Sequence, residues 1–154
     1  MTEKNVKALM VLLIFFLLDS TKPFAYSLIT EFTFLGVVLI CFNYPLKTSL
    51  FFAVIFGYFK DAISADAASF NLLEFSAVTV AIHYCLRNFH GKAAKILIFC
   101  GALATHIIIN NLRTSKAAYL FSLLFFIQSS IVFLLISRLF GQWLYGGLKE
   151  NNVI

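Results

Sequence analysis

Between Gly57 and Asn71, Lys60, Asp61 and Asp66 stand between two long apolar runs. A carboxylate one turn inside the end of an apolar helix is costly unless it is paired or wetted. Asp61 is therefore the leading candidate for a polar anchor that orders the connector or receives a partner; the simpler reading is a carboxylate at headgroup level beside Lys60. The small residues that follow (Ala62, Ser64, Ala65, Ala67, Ala68 and Ser69) allow a compact turn in which Asp61 accepts backbone N–H groups. Lys60 is expected to point elsewhere and meet headgroups or a partner, and Asp66 reads as a solvated loop charge. Asn71 and Glu74 have the spacing of a helix N-cap followed by its acidic partner, and a carboxylate there also suits the helix dipole.

Further along, Ser76, Thr79, His83 and Arg87 recur at intervals of three and four and form one polar stripe. A proton path through His83 is one reading; interhelical hydrogen bonding, with Arg87 at the surface, is the simpler one. Thr105, His106 and Asn110 lie toward the opposite end of the next apolar run. His83 and His106 sit on different helices with no third ligand in view, which argues against a metal site. Cys41, Cys85 and Cys100 each fall inside an apolar run, with no paired spacing, and read as packing thiols. Gly101 and Thr105, with Ala94 and Ala104, suit close helix packing, and Ser122, Ser129 and Ser137 suggest a packed face. There is no nucleophile–base pair, phosphate loop or zinc helix motif. No catalytic, cofactor or metal residue is assigned, and no enzymatic activity is expected.

The elements that must position these groups follow from composition. The 154 residues are 61% hydrophobic and only 12% charged, about half the charge of a typical soluble domain. The fold class expected is all-α: a polytopic membrane protein of about six transmembrane helices, a single domain over residues 1–154. The expected spans are Lys4–Lys22, Phe32–Tyr44, Leu46–Ile63, Asn71–Arg87, Ala93–Asn110 and Ala117–Leu139, with Trp143 and Tyr145 at an interface beyond the last. A merged first pair, giving five spans, is the alternative. Lys4 and Lys7 before Ala8–Leu18 have the make-up of a signal peptide, but no small-x-small site follows, so an uncleaved helix is expected. With six spans, one side holds eight basic residues (Lys4, Lys7, Lys47, Arg87, Lys92, Lys95, Arg138, Lys149) and the other four (Lys22, Lys60, Arg113, Lys116). The positive-inside rule then places both termini in the cytoplasm. Asp19, Glu31, Asp61, Asp66 and Glu74 fall on the outer side. The net charge of +5 is accounted for by this topology, and nucleic acid is not an expected partner.

Gly57-x-x-x-Asp61-x-x-Ser64, followed by Asn71 and a new apolar helix, resembles the MreD family of rod shape-determining inner-membrane proteins. Small size, short first spans and an acidic residue opening the second span, here Glu31, agree with it. Lys60 stands where that family usually has an apolar residue, Ser69 and Ala65 where Gly is common, and Thr30 where Pro is common. The resemblance implies a non-enzymatic scaffold of the bacterial cell-elongation machinery. Its partners would be an MreC-like single-span protein, an MreB-like filament and the RodA polymerase with its transpeptidase. It also implies a fold similar to the substrate-binding component of energy-coupling-factor transporters. A small-molecule (vitamin-like) binding component of such a transporter is the rival function, with Asp61, Asn110 and Tyr26 as possible pocket residues.

Overall fold

The computed structural model describes residues 3–21, 31–63, 70–114 and 119–145. Ser64, Asp66 and Tyr26 lie outside them. The described residues form six α-helices: α1 Glu3–Thr21, α2 Phe32–Asn43, α3 Leu46–Ile63, α4 Phe70–Asn88, α5 Lys92–Thr114 and α6 Tyr119–Tyr145. The chain is all-α, as its composition implied. Helices α1 and α2 are separate elements, and an α1 side chain bonds the first N–H groups of α2. The two helices pack side by side rather than forming one continuous helix. Helix α5 continues through the polar Asn110–Thr114 segment, and α6 runs six residues past Leu139, both longer than the apolar runs alone implied.

Local chemistry sets two of the boundaries. Tyr44 precedes Pro45, and proline's ring disfavours helical geometry at the residue before it; Tyr44 is extended, at φ −130° and ψ 155°. Pro45 needs no N–H of its own at a helix start, and its carbonyl accepts from Thr48 and Ser49 at 3.0 Å. Between α4 and α5, Gly91 takes φ +106°, a conformation that side chains resist.

Helix α2 is the centre of the bundle. Thr33 through Cys41 are all buried, and α2 touches each of the other five helices. A helix apolar on every side has to be surrounded, and Phe32–Asn43 is such a helix. Its own Phe34 shares the core with Phe52, Phe56, Phe75 and Leu103 from the surrounding helices. Helix α3 packs most extensively on α4. The outer helices turn large apolar side chains outward: Leu17 is 57% exposed, Leu97 72%, Leu134 64% and Leu139 70%. Two segments, Ala93–Leu112 and Ser122–Phe140, are long and apolar enough to cross a membrane, and only 22% of either is buried. They are not enclosed in the core of the bundle.

The bundle has chemically distinct ends. At one, Tyr44 Oη donates to the Lys4 carbonyl at 2.7 Å, and the His83 ring reaches the Tyr44 carbonyl at 3.1 Å. Lys47, Arg87, Lys95 and Arg138 lie toward this basic end by helix direction. Asp19, Glu31, Asp61 and Glu74 stand at the other.

Candidate functional site: the acidic end of the bundle

The site begins with a close approach. Gly57 and Asp61 are one turn apart and share a face of α3. A Cβ on Gly57 would fall 2.6 Å from Leu72 Cα and 3.0 Å from the Asn71 carbonyl oxygen. Only hydrogen fits there, so the start of α4 lies directly against α3. That brings Asp61 onto the unsatisfied N–H groups at the head of α4. One carboxylate oxygen accepts from the Asn71 backbone N–H at 2.9 Å and from Asn71 Nδ2 at 2.8 Å. The other accepts from the Leu72 N–H at 2.9 Å. Asp61 thus caps α4 from a neighbouring helix, and its negative charge suits the positive end of the helix dipole.

This changes the roles of Asn71 and Glu74. Helix α4 begins at Phe70, so Asn71 lies within its first turn and is 2% exposed. Its side chain donates to Asp61 rather than accepting from its own helix. Glu74 does not close a capping box; its carboxylate accepts from His106 Nδ1 at 2.5 Å.

His106 is the centre of a second group. Its side chain is fully buried and stacks on Phe34 with ring centroids 4.1 Å apart and planes 12° from parallel. Nε2 lies 3.3 Å from a Glu31 carboxylate oxygen and 3.1 Å from the Asn110 amide. That same Glu31 oxygen is ion-paired with Lys60. Lys60 also lies 5.6 Å from the centroid of the Phe75 ring. With both ring nitrogens facing carboxylates, the arrangement suits an imidazolium. Two cations then meet two carboxylates with no net charge, which is how ionic groups persist in an apolar bundle. Lys60 is therefore turned inward, contrary to the expectation of a headgroup or partner contact. The group joins the head of α2 to α3, α4 and α5.

A third contact repeats the first. Asp19, near the end of α1, accepts from the Phe32 and Thr33 N–H groups, each at 2.8 Å. It caps α2 as Asp61 caps α4. Glu31 occupies the N-cap position of α2 but makes no side-chain cap bond, which leaves its carboxylate for Lys60 and His106.

The polar stripe of α4 is used within the bundle. Ser76 donates to the Leu72 carbonyl, Thr79 lies 3.5 Å from Cys41 Sγ, and His83 contacts the Thr79 and Tyr44 carbonyls. His83 and His106 stand at opposite ends. Among the described residues Gly101 makes no close packing contact: a Cβ there meets nothing within 4 Å. It lines an apolar groove of about 550 Å³ between α4 and α5. Cys41 is buried and Cys85 and Cys100 are half-buried, all as free thiols.

No family model, curated protein or solved structure matches the chain.

Proposed function

We propose that this chain is a multi-pass protein of the bacterial inner membrane that acts as an MreD-like scaffold of cell elongation. In this reading it is not an enzyme. It recognises an MreC-like single-span protein in the plane of the membrane and, with it, serves an MreB-like filament and the RodA–transpeptidase pair. The helices cross in alternation, in a fold like that of energy-coupling-factor substrate-binding components, with the basic end and both termini cytoplasmic.

The observation that carries this reading is the junction of α3 and α4. Gly57, Asp61 and Asn71, three of the residues on which the family resemblance rests, form one unit of close approach and capping. Partner recognition is assigned to the groove between α4 and α5. Ala77, Ala81, Ala94, Gly101 and Thr105 line it, and small residues let a second helix come close in a bilayer. The transporter reading needs polar groups free to converge on a ligand at the acidic end. There, Asp61 is engaged with the head of α4 and Asn110 contacts His106.

The test is depletion in a rod-shaped host. Cells should become round while nutrient uptake stays normal. Normal shape combined with dependence on a vitamin would overturn the scaffold reading in favour of the transporter component.

A further inference from the structure

We infer that the groove between α4 and α5 receives a transmembrane helix of a partner, fixed at the acidic end by a neutral hydrogen-bond-donating side chain that meets Glu74. This deepens the scaffold reading and rests on it. Glu74 lines the groove and is 5% exposed. Its Oε1 accepts from His106. Its Oε2 has no hydrogen bond among the described residues, yet it is not sealed off as the unpartnered oxygens of Thr33, Asn43 and Ser129 are. The hydroxyl of the groove, Thr105 Oγ1, is turned back to the Gly101 carbonyl at 2.9 Å. Oε2 is thus an acceptor within reach of a molecule lying in the groove. Covering it with an apolar group would leave a carboxylate oxygen without a donor, which is costly.

Length and charge select the occupant. Along α5 the lining runs from Ala94 to Ile109, about 22 Å at 1.5 Å per residue. One lipid reaches only the midplane, about 15 Å from either surface of the apolar core; a helix follows the whole groove. Ala77, Ala81 and Cys85 recur every fourth residue along α4, and Gly101 and Thr105 stand one turn apart on α5. Small residues at that spacing let a second backbone come close, and Gly101 has open space where a Cβ would stand. The donor has to be neutral. Glu31, Glu74, Lys60 and His106 already balance as two carboxylates and two cations, so a lysine or arginine on the partner would bring an unpaired charge into the bundle. Serine, threonine, asparagine or glutamine supplies an O–H or N–H without charge. The partner is thus a single helix with small residues at four-residue spacing and one such side chain a turn inside its end, level with Glu74 in the first turns of α4.

The probes are synthetic leucine-rich helices of about 20 residues with alanine at every fourth position. They differ at one site: Gln, Leu or Lys a turn inside one end, or Gln at mid-span. The full chain and each helix are reconstituted in phosphatidylcholine vesicles, and association is read by energy transfer between a dye on the N-terminus of the chain and one on the helix. Wild type should bind the terminal-Gln helix about fivefold more tightly than the Leu helix, the scale of one interhelical hydrogen bond in a bilayer. The Lys and mid-span Gln helices should gain nothing over Leu. Glu74→Leu should abolish the Gln preference. Gly101→Leu, which fills the middle of the groove, should weaken the Gln and Leu helices alike, with helical content unchanged by circular dichroism. Equal binding of the terminal-Gln and Leu helices by wild type overturns the contact. So does a mid-span Gln or Lys helix that binds as tightly as the terminal-Gln helix, a preference that survives Glu74→Leu, or undiminished binding by Gly101→Leu. A phospholipid that the Gln helix does not displace, or a dimer of the chain that Gly101→Leu dissolves, also overturns it, by showing a lipid or a second copy in the groove. Round cells on depletion together with equal binding of all four helices would remove this contact and leave the scaffold reading standing; normal shape with vitamin dependence would remove the scaffold reading itself.

Discussion

The α1–α2 and α3–α4 hairpins are closed by the same device and differ in how tightly it is built. In each, an aspartate near the end of the first helix caps the head of the second. Asp19 holds two backbone N–H groups; Asp61 holds two and the Asn71 amide as well. Each hairpin also has a glycine where the helices meet. A Cβ on Gly36 would fall 2.6 Å from Phe15 Cδ2, the edge of a side-chain ring. A Cβ on Gly57 would fall equally close to Leu72 Cα, which is backbone. A ring can turn aside, but a helix backbone moves only as a whole. The first hairpin is therefore adjustable and the second rigid.

Four substitutions sharpen or break this contrast, each measured as stability to denaturant in detergent micelles. Gly57→Ala should have the largest effect, a loss of about 3 kcal/mol from overpacking against backbone. A loss below about 1 kcal/mol would mean that α3 and α4 slide freely, and the contrast would fail. Asp61→Ala should follow, at about 2 kcal/mol, the upper range for a lost cap, with Asp61→Asn recovering part of it. Asp19→Ala should cost about 1 kcal/mol. If it costs as much as Asp61→Ala, the extra bond to the Asn71 amide contributes nothing. Gly36→Ala should have the smallest effect, under about 1 kcal/mol, because a shifted Phe15 ring is offset by the better helix propensity of alanine. A loss matching that of Gly57→Ala would show both hairpins to be equally rigid.

Asp61 was legible in the sequence because its clues are local. It lies one turn from Gly57, and a run of small residues follows, so a carboxylate meeting backbone N–H groups could be anticipated. The same logic applies to Asp19, but no motif marks it. Its targets are 13 and 14 residues away. The central place of α2 was legible in principle, since Phe32–Asn43 has no polar face. The Glu31–Lys60–His106–Glu74 group was not read, because four helices must converge to make it. A signal was present: all four residues fall toward one end of the expected topology, and charges in apolar helices need partners. Lys60 was misassigned because adjacency to Asp61 was taken to send it outward. A turn of about 100° per residue instead puts neighbouring side chains on adjoining faces, and here the adjoining face meets α2. Small residues such as Gly101 suit a close contact wherever it forms, and sequence does not say whether the neighbour belongs to the same chain.

The sequence separations of these contacts imply an order of assembly. The two caps link residues 10 to 14 apart, so each hairpin can close soon after its second helix emerges. The Lys60–Glu31 pair links residues 29 apart and joins the two hairpins, and the His106–Glu74 pair links residues 32 apart and joins α5 to the second. Until α5 arrives, Glu31 and Lys60 can neutralise each other, while Glu74 has no cation. Loop closure favours near contacts over distant ones. His106 is thus the last counter-charge of this group to be delivered, and its arrival ties α5 to the paired hairpins and balances the Glu74 carboxylate.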